Sequence, residues 1–380
     1  MLTQNTVEQY FRDLEALVNV DSGQDAPEGI RANAEFFRAA FDEMGWLTDM
    51  QDVGPTGPCL VVRNRPAERY DLLLTGHLDT VFPKGTAARR PYREQENTAY
   101  GPGICDMKAG CLTMLYALRE VPAEVLDKLN ILLIFQPDEE IGSIYSKDLM
   151  CAWAEKCRVC LVFEAAVDAP SPLHCVQRKG MLRFGFRFHG RAGHAGSMLT
   201  NGAVSAISEM AYWIGRIDSL VSREKNTTAN VGLVHGGIGN NVVAAQAEMS
   251  GEIRFEFPEE AEKAKALIAE LYRHAEAAGV GVERTMEGYE SPMNPTAQTL
   301  AYVDFLNTLE EKNGRTFLIR KRGGLSASNF LSQHLPICVD GFGPAGEKAH
   351  AEDEYLIMDS VAPGIRLTAQ AICALAEEKD

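Results

Sequence analysis

Residues 71–79 read Asp-Leu-Leu-Leu-Thr-Gly-His-Leu-Asp. Leu72, Leu73 and Leu74 make a short apolar run, and Thr75-Gly76 lead it directly into His77 and Asp79. Such a run, bounded by polar residues, reads as a buried strand of an α/β sheet. The residues able to do chemistry begin where the strand ends, which is where ligands collect in open α/β sheets. In an extended His-x-Asp both side chains share a face. Asp79 is then placed to orient the His77 ring while its other nitrogen binds a metal. Taken alone, a histidine at a strand end is more often structural.

The same texture recurs on either side. CLVV at 59, NILLIF at 130, VCLVF at 159 and PICVDG at 336 are further short apolar runs. Between them lie helical patterns. Val7, Tyr10, Phe11, Leu14, Leu17 and Val18 share one face over 7–18, with Thr6 and Gln9 as a capping box. Ile30, Ala34, Phe37, Phe41 and Met44 mark a second helix closed by Gly45. A third spans 107–118, and the last carries Ile372 and Leu375.

Near residue 178 the pattern changes. Leu182, Phe184, Phe186 and Phe188 alternate with Arg183, Arg187 and His189, as in a sheet with one wet face. A helix over 203–220, a second alternating strand ending at Phe257, and a helix opened by Pro258 follow. This predicts a self-contained α+β unit at 178–289, inserted into a discontinuous α/β domain formed by 1–177 and 290–380.

The 380 residues exceed one ordinary core. A formal net charge of −16 argues against nucleic acid and against an anionic membrane surface. Met1–Val20 shows no basic start followed by an apolar stretch, and the longest apolar run, Ala371–Ala376, is too short to span a bilayer. The nine cysteines are scattered and several sit in apolar runs, which suits reduced thiols and a cytoplasmic protein. Cys157 and Cys160 form a CxxC with no second pair at finger-like spacing, so neither a metal nor a redox role is assigned.

Four more features carry chemistry. Asp106 lies in Gly-Pro-Gly-Ile-Cys-Asp at a helix start, where it also reads as an N-cap. Asp138-Glu139-Glu140 follow the strand at 130, and three adjacent carboxylates there require protons or cations unless they are solvated. Glu164 follows VCLVF. His350 lies in a glycine-containing loop after PICVDG. Two imidazoles and four carboxylates at strand ends, without thiolate, favour a hydrolytic over a structural metal site.

The ordered series GHLDTV, GPGICDMKAG, DEEIGS, FEAA, GHAGS and GEKAHAEDEY resembles the co-catalytic zinc family of glutamate carboxypeptidase, aminoacylase and succinyl-diaminopimelate desuccinylase. TGHLDTVFPKG and the form of the Asp106 loop place it nearest the glutamate carboxypeptidase branch. The resemblance implies a zinc-exopeptidase-like catalytic domain with a mixed, mainly parallel sheet. It also implies an inserted lid domain with an antiparallel sheet, through which the chain forms a homodimer.

By the same resemblance Asp106 bridges two Zn²⁺ ions, with Co²⁺ or Mn²⁺ as substitutes. Glu140 and His350 complete one site, and His77 and Glu164 the other. Asp79 orients His77. Glu139 is the general base toward a metal-bridging water and then the general acid. His194, in Gly-His-Ala-Gly-Ser, is lent across the dimer to the oxyanion. Asn241 and Arg254 bind substrate, Arg254 by gripping a carboxylate; a salt bridge from Arg254 to a cross-strand Glu is the plainer reading of that residue. Gly323 and Gly324 form a substrate-binding turn, but the Ser-Asp-Ala that often follows it is Ser326-Ala327-Ser328 here, which leaves side-chain preference open. Ala109 replaces a usual glycine, without expected harm.

The implied reaction is release of a C-terminal amino acid from a small peptide or N-acyl amino acid. Aminoacylase, deacetylase and dipeptidase activities keep the chemistry and change the substrate. A non-catalytic binding protein on this fold is the remote alternative, and it predicts loss of the base or of a ligand.

Overall fold

Apolar strands of four to six residues hide their backbone and side chains only by pairing in the middle of a sheet and being covered on both faces. The computed structural model describes residues 2–167 and 173–379, and it shows that arrangement. An eight-stranded sheet has the order Leu47–Gly54, Gly57–Arg63, Ile131–Gln136, Tyr70–His77, Cys157–Val162, Ile337–Asp340, Leu173–Arg178 and Leu318–Arg322. The strands from Ile131–Gln136 to Ile337–Asp340 run parallel to their neighbours. The pairs outside them, Leu47–Gly54 with Gly57–Arg63, Gly57–Arg63 with Ile131–Gln136, and Ile337–Asp340 with Leu173–Arg178, are antiparallel. The sheet is therefore mixed, with parallel pairing among its four central strands.

Helices Gln4–Val18, Pro27–Glu43, Ala109–Glu120 and Val361–Glu377 contribute to the core around this sheet. Tyr10, Leu14, Phe37, Phe41, Leu112, Leu115, Leu133, Phe135, Ile365 and Ile372 are buried together. The first helix starts before the predicted Val7. Thr3 caps it, its hydroxyl accepting from the Thr6 amide at 3.2 Å, so Thr6 is not the cap. The helix expected over 107–118 runs instead over Ala109–Glu120, with an irregular turn at Ile104–Lys108 before it. A Cβ on Gly110 would lie 1.9 Å from the Phe163 carbonyl oxygen, so that residue has to be glycine for the helix to reach the end of the Cys157–Val162 strand. Ala109 heads the helix fully buried.

The chain divides into two compact units. One comprises Met1–Gln177, Pro295–Lys321 and Ser326–Asp380, the other Arg178–Asn294 and Arg322–Leu325. The second unit thus continues past residue 289 and takes in the glycine turn at 323–324. Its sheet is fully antiparallel, in the order Thr228–Gly236, Gln246–Phe255, Gly180–His189, Gly281–Glu290. Phe184, Phe186, Phe188, Met249, Ile253 and Phe255 pack with Trp213 and Leu271 of helices Ala206–Asp218 and Pro258–Ala277. On the other face Arg183, Arg187, His189, Glu248 and Glu252 are exposed or partly so, while Met181 and Gly185 are buried, and Arg187 meets Glu248 across the strands at 2.6 Å.

Candidate metal centre and catalytic site

In the first unit the polar residues singled out in the sequence sit just beyond strand ends. His77 closes Tyr70–His77, Glu139 and Glu140 open the turn after Ile131–Gln136, and Glu164 follows Cys157–Val162. His350 lies beyond the strand Gly343–Glu347, in the left-handed region at φ +69. Non-glycine residues rarely sit there, and such conformations gather at functional sites.

Five of these side chains converge. His77 Nε2 lies 3.0 Å from Asp106 Oδ1 and 4.0 Å from Glu164 Oε1. His350 Nε2 lies 3.3 Å from Asp106 Oδ2 and 3.1 Å from Glu140 Oε2. The two oxygens of Asp106 thus face two different imidazoles. Among the described residues, His77, Asp106 and Glu140 bring one ligand atom each within 4.8 Å of one another. Asp106 is not an N-cap: Lys108 holds the cap position of the helix Ala109–Glu120, and Asp106 stands two residues before it in the irregular turn.

Asp79 is wholly buried and does more than face His77. Its carboxylate accepts the amides of Glu139 and Glu140 at 3.1 and 2.9 Å, and Gln24 Nε2 at 2.9 Å. His77 Nδ1 is 2.9 Å from the Asp79 carbonyl oxygen and 3.4 Å from its carboxylate, so the main chain makes the closer contact with the ring. Of the three adjacent carboxylates, Asp138 is turned away from the cluster. It accepts the amides of Tyr145 and Ser146 at 2.7 and 3.2 Å and shapes the turn.

The electrostatics follow from burial and crowding. Burial pushes the Glu139 carboxyl well above the usual range; His77 opposes this, and Glu164, Glu140 and Asp106 add to it. Burial also raises Glu140, against its hydrogen bond with His350. At Asp106 burial works against ionisation, but hydrogen bonds with His350 and His77 prevail and hold the carboxyl below its usual value. His350 is pushed up to about 10 by Asp106 and Glu140. At His77 burial favours the neutral ring, yet the bonds to Asp106 and Asp79 prevail and raise it.

The donor set also suits cations. Two imidazoles and three carboxylates are the nitrogen and oxygen ligands of hydrolytic sites. Glu140 Oε1 is buried with no hydrogen-bond partner among the described residues, so an acceptor stands ready.

The other predicted site residues belong to the second unit. His194 is exposed, and its Nδ1 accepts the Gly196 amide at 3.1 Å, which puts the ring proton of the neutral form on Nε2. Asn241 is beside it, its carbonyl accepting the Ala195 amide at 2.9 Å. Arg254 donates to the Gly323 carbonyl at 2.9 Å and pairs with Glu252 at 2.7 Å. That glutamate stands two residues earlier on the same strand, because the cross-strand partners of Arg254 are Met181 and Thr228. Gly324 is held by a residue the sequence did not single out. Buried Arg178 donates to the carbonyls of Gly324 and Leu325 at 3.1 and 3.3 Å. No periodicity marks it, since it ends a strand in a run of mixed polarity.

Residues 73–374 match the model of peptidase family M20/M25/M40. The chain belongs to this family and is a metal-dependent hydrolase of the peptidase and amidohydrolase class. It is 27% identical over 378 residues to carboxypeptidase G2 of a Pseudomonas species, covering 97% of this chain and 90% of that one. It is 27% identical over 355 residues to acetylornithine deacetylase of Edwardsiella ictaluri, covering 86% and 88%. A tripeptidase from Staphylococcus aureus has the same fold, with a TM-score of 0.81 at 22% identity over 98% of this chain and 99% of that one. Among the described residues no helix is long and apolar enough to cross a membrane.

Proposed function

We propose that this enzyme hydrolyses an amide bond to release a C-terminal amino acid from a short peptide or an N-acyl amino acid. The observation that carries this reading is the convergence of His77, Asp106, Glu140, Glu164 and His350 around two faces of one carboxylate, with Glu139 beside them. Asp106 would be shared by two metal ions, Glu140 and His350 would hold one, and His77 and Glu164 the other. When bound, two Zn²⁺ ions (or Co²⁺ or Mn²⁺) lower the pKa of water and polarise a carbonyl.

The remaining chemistry belongs to side chains. Burial raises the Glu139 carboxyl well above its usual range and so strengthens it as a base; it accepts the proton of the attacking water and delivers it to the leaving nitrogen. His194 offers Nε2–H to the developing oxyanion. Arg254, with Gly323 beside it, takes the free carboxylate of the substrate, which explains why a C-terminal residue is released. Asn241 and Gly324 complete the substrate-binding set.

The second unit, centred on residues 178–289, is read as the lid and dimerisation domain of a homodimer. Thr228–Gly236 stands at the edge of its sheet with Leu233 62% and Val234 51% exposed, an edge that invites pairing. All nine cysteines are free, seven of them buried, which fits a cytoplasmic protein.

Within that range, the likeness to a carboxypeptidase favours peptides as the first reading and the likeness to an acetylornithine deacetylase favours N-acyl amino acids as the second. A hydrolysis screen over dipeptides and N-acyl amino acids, with the C-terminal residue varied and Zn²⁺ supplied, separates the two. Release of the C-terminal residue from dipeptides supports the first; turnover of acyl substrates alone selects the second. No turnover of any amide by zinc-loaded protein refutes both.

A further inference from the structure

The turn that carries Asp106 raises a question of backbone accounting. Ile104–Lys108 is irregular, so its amides lack the regular bonding of a helix, and buried amides require partners. Those of Gly103, Cys105 and Asp106 all meet one side chain. Glu354 Oε2 accepts from Gly103 at 2.9 Å, while Oε1 accepts from Cys105 at 2.9 Å and from Asp106 at 3.1 Å. Glu354 is 1% exposed.

We propose that Glu354 is a positioning residue of the metal site, a carboxylate clamp that fixes the Asp106 turn and ties it to the loop bearing His350. The inference rests on the metal-site reading given above and adds to it the device that presets the site. Glu354 lies four residues after His350, so one short loop supplies both a ligand and the clamp for the ligand opposite it. Asp106 is thereby gripped twice, at its amide by Glu354 and at its carboxylate by the two imidazoles. Both oxygens of Glu354 are occupied by amide donors, which separates it from the residues that face the cluster. Burial and the Asp106 charge push Glu354 up to about 7, and the three amide bonds oppose this by favouring the carboxylate with its two accepting oxygens; a glutamine would turn an NH₂ group toward an amide.

The test uses the full chain in metal-free form and compares the parent with Glu354→Gln and Glu354→Asp. Zinc affinity is measured by calorimetry, folding by near-ultraviolet circular dichroism, and amide protection by hydrogen exchange over residues 101–108. Folded Glu354→Gln is expected to bind zinc about 10–100-fold more weakly, the usual cost of losing a group that orients a ligand. Glu354→Asp should recover part of that loss, and exchange at 103, 105 and 106 should be slow in the parent and fast in Glu354→Gln. Parent-like zinc affinity in folded Glu354→Gln overturns the proposal. If Glu354→Gln does not fold, the parent decides: fast exchange at those three amides overturns the clamp, and slow exchange with partial zinc affinity in Glu354→Asp supports it. A parent chain that binds no zinc refutes the metal site itself, and with it the positioning role.

Discussion

The backbone amide of Glu140 donates to Asp79 Oδ2 at 2.9 Å, beneath the cluster that faces His350. The Glu139 amide meets the other oxygen of the same carboxylate. One buried aspartate therefore fixes both a candidate ligand and the candidate base. Asp79→Asn keeps the size but offers a single acceptor, and each bond to a charged acceptor contributes about 1.5–3 kcal/mol. We expect zinc affinity and kcat each to fall by about 10–100-fold, measured by calorimetry and steady-state hydrolysis. Parent-like values for both would show that Asp79 is merely structural.

Gly110 lets a helix touch a strand end. Gly110→Ala places a Cβ 1.9 Å from the Phe163 carbonyl oxygen, so the helix must move away from the strand leading to Glu164. The expected cost is about 1–3 kcal/mol, typical of overpacking, read as a lower urea midpoint. An unchanged midpoint would mean that the contact relaxes freely.

His174 stacks on Phe317 with ring centroids 4.0 Å apart. Burial lowers its pKa to about 3, helped by Arg315 and opposed by a backbone hydrogen bond at Gly341 and by Asp340. The folded state thus disfavours a proton that the unfolded chain binds below about 6.5. Its neutral form supports folding above that pH, and the support is lost between pH 6.5 and 3 at up to about 1.4 kcal/mol per unit. His174→Phe should flatten this part of the stability profile, followed by urea unfolding at pH 7, 6 and 5. Parallel profiles would assign the acid sensitivity to other groups.

His194 and Glu139 belong to different units, and the resemblance assigns His194 to the partner's site. His194→Ala should reduce kcat by about 10²–10³, as for an oxyanion donor. Mixing His194→Ala with Glu139→Ala should restore activity, because some mixed dimers carry one intact site. A verified mixed dimer with no recovery rules out action in trans.

The sequence was most informative where buried strands end in polar residues. His77, Glu140, Glu164 and His350 were visible for that reason, and Asp106 once its neighbours were read with it. The α/β core and the alternating strands of the second unit were equally plain, since their apolar periods differ. Other features were hidden because they depend on contacts distant in sequence. Glu354 sits in the acidic run Glu352-Asp353-Glu354, and only burial against a turn some 250 residues earlier singles it out. Arg178 acts through carbonyls at 324 and 325. The edge strand Leu47–Gly54 has an exposed, polar pattern with no apolar run to announce it.

The most direct measurement compares the parent with Glu139→Gln, following zinc stoichiometry by calorimetry and amino-acid release from an N-acyl amino acid or dipeptide that the parent cleaves. With Glu139 as the proton carrier, the variant binds two zinc ions as the parent does and hydrolyses about 10²–10⁴-fold more slowly. A zinc-loaded Glu139→Gln that hydrolyses at the parent rate would contradict the assignment.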